Sequence, residues 1–545
     1  MQCSHGRDST VALRWLASGG ERAEITYQQL ADESSRFANV LAGLGVRPQE
    51  RCFLLLPQMP EVFYTFLGTL KAQAVVGTLF SHFGDKALLD RLGDSQARVL
   101  VTRQTLLKKL LRVRDQLPHL RQVLVVDADD DLDERTLSYP RLMREATSHF
   151  QVEPTSPGTP SVLHYTSGST GKPKGVLHTH GSLRFQAKTT HDILGVRAGD
   201  VFWCTADPGW VTGTSYGIIG PWAVGATQVH YGGAFDAAAW MTILEQEAVD
   251  VWYTAPTALR MLMREEDALF RGRLETLRHI ASVGEPLNPE IIRWAKRTLG
   301  KEIHDTWFQT ETGAIMIANR RGMPIRPGSM GKPVEGIEAA ILDDAGNRRP
   351  PGQPGRLCLR EGWPSMFIDY INRSEAYAGR FSHGFYDSGD TAVCDEDGYF
   401  WFIGRADDVI NTSGHLVGPF EIESALMEMP EVTEGAAIGA PDPIRFEKVV
   451  VFVVLRQGVL ASRELESRIR LHLANRLSSF VCPQDVVFVD DIPKNRSGKI
   501  LRRILRAHFL GQDEGDVSTM ESPATVPAKT ASCVKMFPSA AGTKR

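Results

Sequence analysis

The hydrophobic residues recur along the chain with the spacing of short buried strands that alternate with amphipathic helices. The first clear helix is predicted from Thr26, because Thr26 and Gln29 have capping-box spacing and apolar residues follow at helical intervals. Gly45 offers a stop for this helix. Short apolar strands are predicted at 52–56, 99–102, 122–126, 249–253 and 279–283. Strand–helix alternation over this length favours an α/β fold with mainly parallel sheets.

The composition and the hydrophobic periodicity of the sequence change twice towards the carboxyl end. After about Gly328, glycine, proline and short β-like runs dominate up to 399–403, and they predict a β-rich subdomain. Near Arg405 a third region begins. Helices are predicted there around 421–428 and 465–477, and strands at 449–455 and 486–489.

These changes predict the domain organisation. We expect a large N-terminal domain over residues 1–405, built from two α/β subdomains plus the β-rich subdomain, and a small α+β C-terminal domain over 406–513. Residues 514–545 are rich in Ser, Pro, Ala and Thr with little periodicity, and are predicted to be a disordered tail.

Composition excludes several classes of protein. The chain has 545 residues, 42% of them hydrophobic, so it can bury a large core without disulfides or metals. A net charge of −4 argues against a general nucleic-acid or anionic-membrane binder. The seven cysteines are scattered without CxxC spacing, which favours a reducing compartment. With no apolar signal segment, and a longest apolar run of only 449–455, a soluble cytoplasmic protein is predicted.

The most informative segment is YTSGSTGKPKG at 165–175. Its glycines let backbone N–H groups turn toward an anion, its hydroxyls donate hydrogen bonds and its lysines supply positive charge. It is not a Walker P-loop, because Gly171-Lys172 is followed by Pro173. Nor does it match GxGxxG, so dinucleotide binding is disfavoured. On composition alone, a solvated Gly/Ser turn remains the alternative.

This segment resembles the phosphate-binding loop of the acyl-adenylate-forming superfamily, and the resemblance continues in order from about Thr26 to Arg503. The motifs TADPGWVTG, SVGEPLNPE, DTWFQTETG, YDSGD, GRADDVINTSG and PKNRSGKILRR are most similar to those of short bacterial acetate–CoA ligases. The resemblance implies ATP, Mg²⁺ and coenzyme A as cofactors and substrates. It implies that ATP is bound by Thr166, Ser167, Gly168, Ser169, Thr170, Gly171, Lys172, Gly284, Glu285, Pro286, Asp305, Thr306, Trp307, Phe308, Gln309, Thr310, Asp390 and Arg405.

The resemblance also implies a division of roles. Glu311 would bind Mg²⁺, and Lys499 would be the catalytic lysine that stabilises negative charge at the α-phosphate. Asp407 would be the hinge about which the C-terminal domain rotates, and Ser413-Gly414 would then reach coenzyme A. A lysine acetyltransferase and deacetylase are possible partners at Lys499. Without the motif, Lys499 would be interpreted as part of a solvated basic cluster.

The acyl pocket implied by the resemblance is small. Its lining would be Trp210, Val211, Thr212, Val283 and Phe308. Phe308 stands where the acetate enzymes carry Trp, so the floor of the pocket is expected to be slightly deeper. Because one methylene is worth only ~1–3 kcal/mol in an apolar pocket, we expect acetate as substrate with propionate accepted.

One departure and three alternatives stay open. Leu416 occupies a position where the family usually has Arg, and a charged hydrogen bond of about 1.5–3 kcal/mol is lost with it.

The alternatives are a medium-chain acyl-CoA synthetase, an inactive or weakened nucleotide-binding relative, and an adenylation domain that feeds a carrier protein. The pair His178 and His180 is predicted to be structural rather than metal-binding.

Overall fold

The computed structural model of the chain describes residues 9–166, 173–413, 415–478, 481–495, 499–514, 517 and 520, apart from the side chain of Leu416. The strands of the first half are β1 Val11–Leu16, β2 Arg22–Thr26, β3 Arg51–Leu55, β4 Val75–Leu79, β5 Val99–Thr102, β6 Gln122–Val125, β7 Thr136–Ser138, β8 Pro160–Thr166, β9 Lys174–Thr179, β10 Val201–Cys204, β11 Thr227–Tyr231, β12 Val251–Thr254 and β13 His279–Ser282. Those of the second half are β14 Ile303–Trp307, β15 Ile317–Ala318, β16 Ser329–Pro333, β17 Ala339–Leu342, β18 Gly355–Arg360, β19 Asp369–Tyr370, β20 Phe381–Ser382, β21 Phe385–Cys394, β22 Phe400–Arg405, β23 Ile410–Thr412, β24 His415–Val417, β25 Val432–Asp442, β26 Phe446–Leu455 and β27 Asp485–Phe488.

Helices alternate with most of the strands. They are α1 Tyr27–Gly43, α2 Pro60–Lys71, α3 Asp85–Asp94, α4 Gln104–Leu111, α5 Tyr139–Glu145, α6 His180–Asp192, α7 Val211–Thr214, α8 Gly220–Val224, α9 Ala237–Gln246, α10 Pro256–Leu262, α11 Pro289–Trp294, α12 Ser374–Ala378, α13 Pro419–Leu426, α14 Arg463–Arg476 and α15 Arg502–Leu510. The described helices include none with the length and apolar surface needed to cross a bilayer.

Two large sheets build the first four hundred residues. The first has the order β19-β9-β8-β4-β3-β5-β6-β7, parallel from β8 to β7. The second has the order β17-β18-β21-β22-β16-β15-β14-β13-β12-β10-β11-β1-β2. Its strands from β14 to β1 are parallel, whereas those from β15 to β17 are antiparallel and form the predicted β-rich region. The predicted α/β class is therefore confirmed, and the β-rich strands continue the second α/β sheet.

A separate sheet follows the end of β22 at Arg405. Its order is β24-β23-β26-β25, and β27 pairs in parallel with β26. Helices α13 and α14 pack on one face of β25 and β26 and bury a cluster that includes Ile422, Leu426 and Ile469. Helix α15 packs on the other face through Leu505 and Phe509. The new sheet thus begins after Arg405, and the domain boundary at this point stays a prediction.

Local sequence explains the element boundaries. The Thr26 hydroxyl accepts from the backbone N–H of Gln29, and the Gln29 side chain accepts from the N–H of Thr26, which closes the predicted capping box. Gly45 follows the helix with a φ of 69°, a conformation that suits glycine. Strand β4 is buried at every position, as expected for a parallel strand covered on both faces.

Candidate functional site

The glycine-rich segment connects two antiparallel strands. Thr166 ends β8, Lys174 begins β9, and the two residues are partners in the register of the hairpin. Of the predicted phosphate-loop residues, Thr166 is described, and the following lie outside the described residues: Ser167, Gly168, Ser169, Thr170, Gly171 and Lys172. A strand rather than a helix follows the segment, which agrees with the exclusion of a Walker P-loop.

Asp390 accepts hydrogen bonds from two other parts of the chain, residues 307–309 and Arg405. Its Oδ2 accepts from the indole Nε1 of Trp307 at 2.9 Å and from the amide Nε2 of Gln309 at 3.1 Å. Its Oδ1 accepts from Nη1 of Arg405 at 2.9 Å. The Asp390 side chain is only 4% exposed, and burial raises its pKa although the Arg405 guanidinium opposes this effect. The YDSGD, DTWFQTE and GRADD motifs therefore meet at one carboxylate.

Glu311 lies beside the glycine-rich hairpin. Its Oε1 accepts from the phenol of Tyr370 at 2.6 Å, and Tyr370 belongs to β19, which pairs with β9. The Lys174 ammonium lies 5.3 Å from the centre of the Tyr370 ring. Next to Glu311, the carbonyl of Thr310 accepts from Nε2 of the buried His178 at 2.7 Å. His178 on β9 thus contacts the segment that follows β14, and the structural role predicted for His178 and His180 stays a prediction.

The site around Glu311 suits a hard cation held largely by substrate oxygens. Among the described residues no group of three His, Cys, Asp or Glu side chains could enclose a metal ion. A single carboxylate beside phosphate oxygens is how proteins commonly hold Mg²⁺. The donor chemistry at Glu311 therefore fits Mg²⁺ bound together with a nucleotide.

The second strand-end segment is Gly284-Glu285-Pro286, just after β13. Gly284 has a φ of 92°, a left-handed conformation in which a side chain would be strained. Oε2 of Glu285 forms an ion pair with Nη2 of Arg260 at 2.7 Å, and Oε1 accepts a hydrogen bond from the Thr257 hydroxyl at 2.8 Å. This ion pair fixes the turn at the carboxyl ends of parallel strands, the usual ligand-binding edge of an α/β sheet.

Asp305 and Thr306 lie on β14 beside this turn. The Thr306 hydroxyl donates to the Ser282 carbonyl at 2.7 Å, and it also pairs with the Tyr253 hydroxyl at 2.7 Å. Asp305 is buried, and its Oδ1 has no hydrogen-bond partner among the described residues. Burial raises the pKa of Asp305 well above its ordinary range.

Lys499 reaches the cleft from the small domain. Its turn is fixed because the backbone N–H of Lys499 donates to Oδ1 of Asn495 at 2.9 Å. Lys499 is exposed, yet the protein around its ammonium partly removes it from water and so lowers its pKa, and the charge of Arg405 lowers it further. Asp390 and Asp408 act in the opposite direction. The predicted lysine and the Asp390 cluster are therefore close enough for their charges to interact.

Sequence reasoning missed two cations, Arg380 and Arg373, whose charges act together with Lys174 and the predicted Arg405 near Glu311. Burial lowers the pKa of Lys174, and the charges of Arg380, Arg373 and Arg405 lower it further, whereas Glu311 opposes them. Arg380 also donates to the Tyr386 hydroxyl at 3.4 Å. An isolated arginine outside a motif gives no indication in the sequence that it lies near the site. Only the fold shows that these arginines lie near Glu311 and Lys174.

The predicted acyl pocket is divided between two packing clusters. Val283 and Phe308 belong to the core of the second sheet, where Phe308 meets Tyr216 edge-on at 5.4 Å between ring centres. Trp210 instead packs on Phe80 of the first sheet at 4.9 Å. Val211 and Thr212, both buried, begin α7 between them. Their joint role as an acyl pocket stays a prediction.

Close packing fixes the start of this helix. A Cβ at Gly213 would lie 2.1 Å from the Asp207 carbonyl oxygen, so only glycine fits there. The segment TADPGWVTG therefore folds back on itself, so that Gly213 packs against the backbone of Asp207.

The predicted hinge and coenzyme A residues lie at the junction of the domains. Asp407 follows β22, and its Oδ1 is 3.8 Å from Nε of Arg405. Ser413 has a φ of 53°, whereas Gly414 lies outside the described residues. Leu416 pairs with Asn411 across β23 and β24. Two ion pairs flank the junction, Arg264 with Glu434 at 3.9 Å and Arg502 with Asp408 at 3.7 Å.

The fold is that of an α/β protein with two large sheets followed by a separate C-terminal sheet. The AMP-binding enzyme family matches residues 2–370, and the AMP-binding enzyme C-terminal domain matches residues 421–499. The chain belongs to the AMP-binding enzymes, and the predicted family is confirmed.

Curated relatives cover almost the whole chain. The chain is 46% identical to an acetyl-coenzyme A synthetase of Bacillus subtilis (strain 168), over 94% of this chain and 90% of the relative. It is 36% identical to acetyl-coenzyme A synthetase 2 of Pseudomonas aeruginosa, over 95% of this chain and 85% of the relative.

Solved structures of acyl-CoA ligases share the fold. An anthranilate CoA ligase in complex with anthranoyl-AMP superposes with a TM-score of 0.85 at 31% identity, over 92% of this chain and 94% of that chain. An acyl-CoA synthetase of Brucella canis gives 0.72 at 35% identity, over 92% of each chain.

Proposed function

We propose that this chain is an acetate–CoA ligase of the AMP-forming type. It joins a short carboxylate to coenzyme A through an acyl-AMP intermediate and releases AMP and pyrophosphate, with ATP, Mg²⁺ and coenzyme A as cofactors and substrates. Acetyl-coenzyme A synthetases that match over most of their length support acetate as the acid. The observation that carries the proposal is that the YDSGD, DTWFQTE and GRADD motifs meet at the buried Asp390, whose charge influences the pKa of Lys499.

In the first half-reaction the carboxylate attacks the α-phosphate. Asp390, held by Trp307, Gln309 and Arg405, is the acceptor for the ribose hydroxyls. Mg²⁺, when bound at Glu311, neutralises phosphate charge. Lys499 places positive charge where the transition state gathers negative charge, and much of the rate comes from positioning.

In the second half-reaction the small domain rotates about Asp407. Rotation removes Lys499 from the cleft and brings the segment at Ser413-Gly414 toward the acyl-AMP. The thiol of coenzyme A then attacks the acyl carbon and AMP leaves. A domain boundary at residues 405/406 and a mobile C-terminal unit over 406–513 are part of this proposal, supported by the new sheet that starts after Arg405.

ATP–pyrophosphate exchange across a panel of carboxylic acids tests the function. We expect exchange with acetate, weaker exchange with propionate and little with octanoate. An octanoate optimum would replace the proposal with a medium-chain synthetase, and no exchange with any acid would favour an inactive relative. Comparison of free coenzyme A with a carrier-protein thiol tests the third alternative.

The role of Lys499 is tested by separating the half-reactions. Lys499→Ala is expected to slow adenylation by at least ~10²–10³, the effect of one lost transition-state donor. Thioester formation from supplied acetyl-AMP should be largely spared, because Lys499 has left the cleft by then. Lys86→Ala, at an exposed lysine of α3, is the matched control. Equal loss in both half-reactions would show that Lys499 is misassigned.

Two finer features are proposed with the function. The exposed side chain of Lys499 is accessible to a lysine acetyltransferase and deacetylase, and acetylation would remove the catalytic charge. Mass spectrometry of the chain after reaction with an acetyltransferase would detect it. The cytoplasmic location predicted from the sequence stays a prediction that cell fractionation tests.

A further inference from the structure

A basic cavity lies at the opposite edge of the second sheet from the nucleotide site. It measures about 280 Å³, and its side chains include Arg278, His279, Lys301, Glu302, His304 and Arg321. His279 begins β13, and the glycine turn of the nucleotide site follows the other end of that strand. At ~3.3 Å per residue, the five-residue step from His279 to Gly284 spans roughly 16 Å, so the two sites are distinct.

Positive charge in this cavity exceeds negative charge. Arg278 donates to the Gly195 carbonyl at 2.9 Å and pairs with Asp200 through the same nitrogen, Nη2. Its other terminal nitrogen, Nη1, is buried and has no hydrogen-bond partner in the described part of the chain. Arg321 and Lys301 form no ion pair with any described residue. The single acid of the cavity, Glu302, is exposed and lies 3.4 Å from the ammonium of Lys296.

The wall of the cavity contains a buried polar group that lacks a partner. His279 is 3% exposed, and its Nε2 has no hydrogen-bond partner among the described residues. The His279 and His304 rings lie 4.5 Å apart. Burial lowers the pKa of His279 to about 2, and His304, Arg321 and Arg278 contribute in the same direction. The charges of Arg278 and Arg321 therefore reach this wall even though both imidazoles are buried.

A second hollow extends the cavity along the surface. It shares Arg321 and Gly322 and adds Arg197 and the pair His191 and Asp192. Asp192 is already bound by Lys188 at 2.5 Å, so this extension does not neutralise the basic wall.

We propose that the cavity binds a phosphate group through Arg278, Arg321 and Lys301. Guanidinium forks match the oxygen pairs of a tetrahedral oxyanion, and the compact ammonium of a lysine adds a point charge. A phosphate carries about −1.5 to −2 charges near neutral pH, which offsets several cations, whereas a substrate carboxylate carries one. The phosphate group could belong to inorganic phosphate or to a phosphorylated metabolite. Binding at this site needs no catalytic turnover, so the proposal does not rest on the proposed function.

Calorimetry with AMP present in excess, which occupies the nucleotide site, tests the proposal. Inorganic phosphate and ribose 5-phosphate are each titrated into the full chain. Binding of one equivalent is expected, weakened at least tenfold in Arg321→Gln and in Lys301→Gln. Arg320→Gln, which removes the same charge from the neighbouring residue, should retain the affinity. Tighter binding of inorganic phosphate assigns the free ion, and tighter binding of the sugar phosphate assigns a phosphorylated metabolite.

Thermal unfolding gives an independent measurement. Phosphate is expected to raise the Tm of the unsubstituted chain and of Arg320→Gln, but not that of Arg321→Gln, because a ligand that binds only the folded state stabilises it. Arg321 is exposed, so its replacement leaves the core intact. No binding with AMP present, or equal weakening in Arg320→Gln and Arg321→Gln, would overturn the proposal.

Discussion

Removal of the Arg405 guanidinium should shift the pH dependence of nucleotide binding toward higher pH. Burial raises the pKa of Asp390, and Arg405, 2.9 Å from its Oδ1, is the first group that opposes this effect. A carboxyl with a raised pKa loses its charge when the pH falls through that raised value. Arg405→Gln removes the opposing charge and therefore raises the pKa of Asp390 further.

The structure sets the size of this shift. Two unit charges 2.9 Å apart would interact with about 6 kcal/mol at an effective dielectric constant near 20, which is an upper limit. Arg405 is 33% exposed, and a hydrogen bond to a charged group is usually worth about 1.5–3 kcal/mol net. At ~1.4 kcal/mol per pKa unit, the pKa of Asp390 should rise by ~1–2 units. Trp307 and Gln309 remain as donors and prevent a larger shift.

The assay is the pH profile of kcat/KM for ATP in pyrophosphate exchange. The acid limb of the profile should move up by ~1–2 pH units in Arg405→Gln and stay in place in Lys86→Gln. ATP itself titrates in the same way in every assay. A difference between the pH profiles of two variants therefore comes from the protein. Discrimination between ATP and 3′-deoxy-ATP should weaken over the same pH range. A uniform loss of rate with an unmoved acid limb would refute the coupling of Arg405 to Asp390.

Three further outcomes are expected. Leu416→Arg should raise the adenylation rate up to ~10-fold if the missing charged contact is limiting, and an unchanged exchange rate would show that the cations near Glu311 already suffice. Phe308→Trp should shift kcat/KM toward acetate over propionate by ~10-fold, in line with ~1–3 kcal/mol per methylene, and an unchanged ratio would place Phe308 outside the acyl pocket. Thr26→Ala should lower the free energy of unfolding by about 1 kcal/mol in urea denaturation without changing the exchange rate, because it removes the observed cap of α1, whereas full retention of stability would contradict the capping argument.

Local patterns in the sequence determined much of the secondary structure. The predicted strand at 99–102 is β5 Val99–Thr102, and the predicted strand at 279–283 is β13 His279–Ser282. The strand predicted at 449–455 begins three residues earlier, at Phe446. Periodicity records burial, and the exposed start of β26 has no apolar pattern to record, so its extra pairing with β25 could not be predicted.

The motifs named the residues of the candidate site, because segments such as YDSGD and DTWFQTE are specific as strings. The motifs do not show which of these residues contact each other. Trp307 and Asp390 are 83 positions apart, and their hydrogen bond exists only because β14 and β21 belong to one sheet. Arg380 and Tyr370 belong to no recognised motif. Their positions near Glu311 depend on where the chain places β19, which contains Tyr370, and the turn between α12 and β20, which contains Arg380.

The sequence by itself determined the family, the alternation of strands and helices, and the side chains that carry the chemistry, because all of these are written in local spacing and residue type. The tertiary structure alone decided which of those side chains meet. Electrostatic coupling between Lys499 and Asp390, the raised pKa of Asp390 and the basic cavity at the far sheet edge depend on distance and burial. Those quantities arise only when segments that are remote along the chain pack together.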